Sequence, residues 1–344
     1  MAANSSVSLV GLDFDSIKNN LIQYLQSQDT FKDYNFLGSG LNTLLDVLAY
    51  NTQYNAFYLN MVANEMFLDT ALQRSSVVSH AKLLDYVPKS AIAPTSFTNV
   101  VFNGVTDSSF TIPAYTNFMS ESINGINYNF VTTNNLTVNT NTTNNTATFN
   151  NVEIKQGLPT TYTFTVSSTT NPNYVFELPD ADIDTSTIQV AVQVSSTNTS
   201  YQIFNESTTF LSLDGSSLVY FLDESLDGNY QISFGDGILG KQLSDGNIIK
   251  VGYIVTQGSS ASGANNFVLM DSINQNYSSV VVTPIVPASN GSDKETIDSI
   301  KYQAPKSFAA QNRAVTKDDY ITLIQQNTIG ITFDAVNVLS LIHI

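Results

Sequence analysis

The segment that most constrains the fold is LNTLLDVLAYNTQYNAFYLNMVANEMFL, residues 41–68, in which apolar side chains recur at helical spacing. This spacing predicts one helix with two apolar faces. The first is a predicted core stripe, formed by Leu41, Leu44, Leu45, Leu48, Leu59, Val62 and Met66. The second, called the aromatic face below, is the candidate protein interface and is formed by Tyr50, Tyr54, Phe57, Tyr58 and Met61.

A helix that is apolar on most sides belongs in a bundle, because a single interface cannot cover it. Two kinds of bundle fit the periodicity equally well. One is built within the chain, with the short helical stripe around Leu21 and the segment after Leu68. The other borrows helices from another subunit. We expect one face to pack within the chain and the other to pack against a second copy or a partner.

Hydrophobic periodicity changes twice along the chain, which predicts an α+β fold. It is helical as far as Val87, and then short runs such as YTFTV and IQVAVQV alternate with period two. Helical spacing returns near the C-terminus. We expect a bundle-forming helical region at 1–90, a β-rich domain at 91–285 and, at 286–344, the helix-loop-helix-strand start of a truncated further α/β domain.

Helix starts can be predicted from capping residues. Ser39 follows a glycine and precedes the long helix, so its hydroxyl is an expected N-cap. Two later pairs have the capping-box spacing, Ser292 with Glu295 and Thr316 with Asp319, and each predicts the start of a helix. Pro305 is expected to lie between these two helices. The Asn/Thr-rich residues 134–151 fit either a long mobile hairpin or a ladder-like sheet edge.

The charge balance argues against nucleic acid as a partner. The chain of 344 residues has 13 basic and 29 acidic residues, for a net charge of −16. Residues 90–240 hold a single base, Lys155, against thirteen acids. Binding to a phosphate backbone requires clustered Lys and Arg, so this surface is expected to repel nucleic acid. The chain has no cysteine and no apolar run long enough to span a bilayer, so we also expect no membrane insertion.

One glycine-rich stretch, YQISFGDGILGKQLSDG, resembles a phosphate-binding loop. Gly235, Gly237 and Gly240 have the spacing of a dinucleotide fingerprint, and Lys241 follows. Such a fingerprint needs a helix directly after the glycines, whereas here the strand-like run NIIKVGYIV follows. Gln242 also stands where a magnesium-binding hydroxyl is required. The stretch therefore predicts a β-hairpin in which the three glycines form structural turns.

No catalytic, cofactor-binding or metal-binding residue can be nominated. His80 and His343 are the only two histidines and do not make a triad or a zinc site by themselves. The run DADID, Asp180 to Asp184, has the alternating acids of a calcium loop but lacks its glycine and its final glutamate. We interpret it as an acidic turn, and we expect a protein that is not an enzyme and has no cofactor.

Three stretches together resemble the wedge subunit of the baseplates of contractile-tailed bacteriophages, within the baseplate J-like family. They are the helical segment from GSGLNTLLDVLAYN to LLDYVPKSA, the run FGDGILGKQLSDGNIIKVGYIVTQGSSASGANNF, and QNRAVTKDDYITLIQ. The resemblance spans most of the chain in the expected order and is weakest through the Asn/Thr-rich middle. It also implies that the glycine motif is structural.

The resemblance implies a virion structural protein of the tail baseplate, assembled in the host cytoplasm and made late. Its implied partners are a second copy of itself, other wedge subunits and the tail hub, joined through the N-terminal helices. The implied baseplate rearranges on host contact and so triggers sheath contraction. Three other interpretations fit the residues. They are a baseplate part of a non-viral contractile injection system, a β-rich adhesin that binds host glycan, and a tail-associated glycosidase.

The last six residues, LSLIHI, are what a common transposon adapter of sequencing libraries would encode. Wedge subunits of this type continue beyond the last predicted helix. We therefore expect the natural chain to continue past Val338, in which case His343 is not a natural residue.

Overall fold

The computed structural model describes residues 13–28, 30, 38–209, 212–311, 313–326 and 336–337. Nearly all of the predicted last strand, and with it His343 and the LSLIHI segment, lies outside these residues. The described chain contains five α-helices and fifteen β-strands and divides into two compact units between Leu83 and Leu84. Helices come first, a large β-rich region follows and two helices end it, which confirms the predicted α+β fold.

The first unit consists of three helices, α1 (Phe14–Gln26), α2 (Gly40–Glu65) and α3 (Arg74–Leu83). Ser39 caps α2 as predicted, because its Oγ accepts a hydrogen bond from the Asn42 amide at 3.0 Å. An ion pair of 2.5 Å between Lys18 and Asp46 joins α1 to α2. His80 on α3 donates from Nε2 to the carbonyl oxygen of Glu65 at 2.9 Å, which gives this histidine a structural role.

The second unit contains a six-stranded antiparallel sheet whose order is β14-β3-β4-β6-β1-β15. Alternate side chains of each strand point inwards, as in β1, where Val100 and Phe102 are fully buried. Residues 146–151 of the Asn/Thr-rich stretch lie in β6, inside the sheet, whereas residues 136–139 of the same stretch form a strand of a separate two-stranded pair. The strands are β1 (Thr95–Asn103), β3 (Asn117–Ser120), β4 (Asn129–Thr132), β6 (Thr146–Gln156), β14 (Phe267–Leu269) and β15 (Ser279–Ser289). A separate pair is formed by β2 (Ser109–Ile112) and β5 (Leu136–Asn139).

A seven-stranded sheet carries a second core, centred on the fully buried Tyr230, Ile232 and Tyr253. Its strands are β7 (Leu158–Thr165), β8 (Val175–Glu177), β9 (Ile183–Gln193), β10 (Tyr201–Glu206), β11 (Val219–Glu224), β12 (Tyr230–Phe234) and β13 (Ile248–Val255). Their order is β7-β13-β9-β10-β11-β12-β8, and only β10 and β11 run parallel.

This order shows that the predicted hairpin between YQISF and NIIKVGYIV is wrong. The first run is β12, which pairs with β11 and β8, and the second is β13, which pairs with β7 and β9. The segment that connects them is hydrogen-bonded to other parts of the chain. The Gly240 amide donates to the carbonyl oxygen of Asp214, and the Gly246 amide donates to that of Val166. These bonds direct the chain across the sheet, and three strands, β9, β10 and β11, lie between the two runs.

One bend joins the two sheets. Strand β6 ends at Gln156 and β7 begins at Leu158, so the chain passes from one sheet to the other at Gly157. Gly157 has a φ of +139°, and a Cβ placed there would lie 2.5 Å from the carbonyl oxygen of Val255. Only glycine combines this backbone angle with so close an approach.

The C-terminal helices are α4 (Ile297–Ala310) and α5 (Lys317–Gln326). The predicted capping box of α5 is confirmed, because Asp319 accepts from the Thr316 amide at 2.7 Å and its own amide donates to Thr316 Oγ1 at 3.2 Å. The capping box predicted for α4 is wrong: the helix starts later, with Thr296 as its N-cap. Pro305, expected between the helices, lies inside α4, which continues to the buried Ala310.

Glu295 does not cap α4, because its carboxylate binds other groups. It is the last of three consecutive charged residues, each of which contacts a different part of the chain. Asp293 accepts hydrogen bonds from the amide and hydroxyl of Ser259 at 2.9 and 3.0 Å. Lys294 forms an ion pair of 3.0 Å with the buried Glu224. The Glu295 carboxylate accepts from the Tyr86 hydroxyl, the Lys89 amide and the Ser299 hydroxyl. Burial beside Glu295 raises the pKa of Tyr86 well above its usual range, so its phenol stays protonated and donates.

Candidate protein interface on helix α2

The buried side of α2 is a narrow stripe of mostly small side chains. They recur at intervals of three, four or seven residues, which places them along one line of the helix. Small side chains let the helix approach its neighbours closely, and they leave the larger apolar residues facing outwards. The buried residues of α2 are Asn42, Leu45, Ala49, Ala56, Asn60 and Ala63.

The predicted core stripe is therefore wrong. Of its seven members only Leu45 is buried, and Leu41 is half-buried. The others, called the aliphatic face below, are 44% to 63% exposed, and they are Leu44, Leu48, Leu59, Val62 and Met66. Hydrophobic spacing identified this face as apolar but could not show that a neighbouring line of alanines is the one that packs inwards.

The aromatic face also points outwards. Tyr50, Tyr54, Phe57 and Tyr58 are 43% to 63% exposed, and Met61 is half-buried. Their rings contact one another along the helix: Tyr54 and Tyr58 meet edge to face with centroids 4.6 Å apart, and Tyr50 stacks on Tyr54 at 6.2 Å. The Tyr54 and Tyr58 hydroxyls share a hydrogen bond of 2.6 Å, which raises the pKa of Tyr54. The face is thus a continuous aromatic surface.

Charge is absent from both faces. Between Asp46 and Glu65 the helix has no acidic or basic residue. A second helix could therefore pack on either face without burying an ion, which would cost several kcal/mol if the ion were unpaired. Sequence reasoning selected the aromatic face and missed the aliphatic one. The spacing of Ala49, Ala56 and Ala63, seven residues apart, was the signal that could have distinguished the buried side.

The glycine motif forms a compact loop after β12. Gly237 and Gly240 have φ angles of +89° and +93°, and the Gly237 amide donates to the Gly240 carbonyl at 3.0 Å. Gly235 is needed for a different reason, since a Cβ there would lie 2.2 Å from the carbonyl carbon of Gly240. No helix occurs between β12 and β13, so the loop lacks the helix N-terminus that holds a pyrophosphate.

Substitutions in this loop should separate its backbone role from any role of the lysine. Gly237→Val is expected to destabilise the fold by about 1–3 kcal/mol, because a β-branched residue is strained at positive φ. Lys241→Ala should leave stability nearly unchanged, because the lysine's Nζ donates to the exposed Gln202, and an exposed contact of this kind contributes little. Thermal melts of both variants, with and without ATP, measure this. A stabilisation of the wild type by ATP would contradict the structural interpretation.

The acids of the DADID run serve the fold. Asp184 is fully buried and accepts hydrogen bonds from the Ala93 and Ser186 amides at 3.0 Å. Asp180 accepts from the Tyr253 hydroxyl at 2.7 Å. Within the described residues, no group of three or more His, Asp or Glu side chains could hold a metal ion. In the same part of the chain, none of the helices has the length and hydropathy of a membrane span.

The chain resembles known proteins along most of its length. Residues 13–86 match a family model described as the helical domain of the gp6-like baseplate wedge protein. The chain is 30% identical to the baseplate wedge protein gp6 of Enterobacteria phage T4, over 92% of this chain and 50% of that protein. It therefore spans about half the length of this curated relative.

A solved structure was also matched, a chain of the cryo-EM structure of the anti-feeding prophage baseplate. The match covers 93% of this chain and 65% of that one, with 13% identity and a TM-score of 0.31. A TM-score this low does not establish a shared fold. Residues 13–86 thus resemble the helical domain of gp6-like baseplate wedge proteins, and the similarity to one such protein extends along most of the chain.

Proposed function

We propose that this chain is a structural, non-enzymatic component of a phage tail baseplate wedge. In this proposal it pairs with a second copy of itself and with another wedge subunit, and the wedges join around the tail hub. The assembled virion baseplate then rearranges on host contact and so triggers sheath contraction. The chain would reach the virion by assembly in the host cytoplasm. Its similarity to gp6-like baseplate wedge proteins and the outward faces of α2 support this role.

The observation that carries the proposal is that α2 exposes two apolar faces at once. An aromatic side chain buries on the order of 150–250 Å², and apolar area contributes about 25 cal/mol per Å². Covering Tyr50, Tyr54, Phe57 and Tyr58 would thus contribute several kcal/mol to association. Exposed apolar patches of this extent mark interaction surfaces. Two faces give room for two different neighbours, as pairing with itself and with another subunit requires.

Co-expression tests this function. The chain is produced alone and together with the second wedge subunit of the same virus, and light scattering after gel filtration measures the mass of each soluble species. Alone, we expect a dimer or poorly soluble aggregates, because the apolar faces of α2 stay exposed. With the partner, we expect a soluble complex that contains both proteins. A soluble monomer that does not associate with the partner would contradict the proposal.

A further inference from the structure

The glycine loop after β12 holds two aliphatic side chains in solvent. Ile238 is 74% exposed and Leu239 is 39% exposed, and they form what we call the Ile-Leu tip. A tight turn does not require apolar residues, since Gly, Asn, Asp and Ser are the residues that turns favour. The conformation of this loop therefore explains its glycines but not the chemistry of its tip.

Hydrogen bonds fix the backbone beneath the tip. Asp236 Oδ1 accepts from the amides of both Ile238 and Leu239 at 2.9 Å. The neighbouring loop supports the far side, because the Gly240 amide donates to the Asp214 carbonyl at 3.0 Å and the Lys241 amide donates to the Ser217 carbonyl at 2.8 Å. Both ends of the tip are thus bound to the β-rich unit.

Close packing restrains the loop further. A Cβ at Gly215 would lie 2.2 Å from the carbonyl oxygen of Gly237, so the two loops touch backbone to backbone. A loop whose backbone is held this closely loses little backbone conformational entropy when it binds, which is how preorganised surfaces gain affinity. The tip has the properties of an anchor residue that enters a pocket on another protein.

Charge around the tip indicates what kind of partner fits. Hydrogen bonds from the Leu239 and Ile238 amides lower the pKa of Asp236, and those from Ser216 and Ser217 lower the pKa of Asp214. Both carboxylates are therefore ionised at neutral pH. A second copy would bring a region of net negative charge, residues 90–240, near these carboxylates. Like charges at an interface disfavour that pairing.

We propose that the Ile-Leu tip docks into an apolar pocket, rimmed by Lys or Arg, on a different structural protein of the same particle. This inference rests on the proposed baseplate function and adds a second contact surface, on the β-rich unit, to that of α2. Lys241, which follows the tip, donates from its ammonium group to Gln202 Oε1 at 2.6 Å.

Binding measurements with matched variants test this proposal. The other structural proteins of the same virus are purified, immobilised one at a time and probed with the chain at low and high salt. The variant Ile238→Ser/Leu239→Ser should weaken binding to one of them at least about tenfold, because the apolar anchor is lost. Asp236→Asn keeps an oxygen that accepts both amides but removes the charge, so it should reduce the salt dependence of that binding.

The control variant is Leu226→Ser. Leu226 is 68% exposed in the turn between β11 and β12, and an acid lies within two residues of it, as it does for Ile238. It should bind like the wild type, and both it and the tip variant should keep the wild-type melting temperature because the changed side chains are exposed. Equal binding of the tip variant and the wild type, or self-association of the chain through the tip, would overturn the proposal.

Two outcomes separate this inference from the proposed function. If changes on α2 abolish binding to a wedge subunit while the tip variant binds every structural protein normally, the tip proposal fails and the baseplate function stands. If the wild-type chain binds none of the structural proteins, both fail.

Discussion

Replacing Tyr54 by Ser and Phe57 by Asn together is expected to abolish co-purification of the chain with its wedge partner. The two side chains lie in the middle of the aromatic face, and Tyr54 contacts both Tyr50 and Tyr58. Losing two central aromatic anchors should weaken association by about 3–6 kcal/mol, which is more than a hundredfold in affinity. Affinity-tagged co-expression followed by gel filtration measures the loss.

The matched control is Tyr24→Ser, because Tyr24 is also an exposed tyrosine but lies on α1. This variant should co-purify normally. The double variant should keep the β-rich unit folded, since neither changed residue is buried or belongs to that unit. A far-ultraviolet circular dichroism spectrum like that of the wild type would show this. Normal partner binding by the double variant would remove the aromatic face from the interface.

Replacing Gly157 by Ala is expected to destabilise the β-rich unit by about 3 kcal/mol or more. Two costs combine there: a positive φ that disfavours side chains, and a new methyl group that would lie 2.4 Å from Ile254 Cγ2 and 2.5 Å from the Val255 carbonyl oxygen. Neither contact can relax unless β13 moves, because β13 pairs with strands on both sides. Urea unfolding followed by tyrosine fluorescence measures the loss of stability.

The control variant Gly125→Ala separates the strain of a positive φ from the steric clash of the new methyl group. Gly125 also has a positive φ, of +87°, but nothing lies within 4 Å of the position that its Cβ would occupy. It should lose only about 1 kcal/mol, the conformational part alone. Equal losses at the two positions would show that the bend between β6 and β7 is not closely packed.

Local signals predicted the parts of this fold that depend on neighbouring residues. The N-cap at Ser39 and the capping box at Thr316 each need only a side chain and an amide three residues away. Period-two alternation predicted β strands correctly for the same reason, since successive side chains of a strand alternate between its faces. These features follow from the chain within a few residues and require no knowledge of tertiary contacts.

Features that depend on distant residues could not be predicted. Glu295 is spaced as a capping residue from Ser292, but Tyr86 and Lys89, about two hundred residues earlier, occupy its carboxylate. The partners of β12 and β13 likewise depend on bonds from Gly240 to Asp214 and from Gly246 to Val166. At the candidate interface, spacing showed that α2 is apolar on two sides. It could not show that small residues form the buried line and leave both larger faces exposed.

Site-specific photo-crosslinking tests most directly whether the exposed faces of α2 bind other subunits. A photoreactive phenylalanine analogue is placed at Phe57 on the aromatic face and, in a second protein, at Leu59 on the aliphatic face, and wedge complexes purified from infected cells are irradiated. We predict cross-links from both positions to other polypeptides, either a second copy of this chain or another wedge subunit. Cross-links that stay within the chain at both positions, in complexes that assemble normally, would contradict the account.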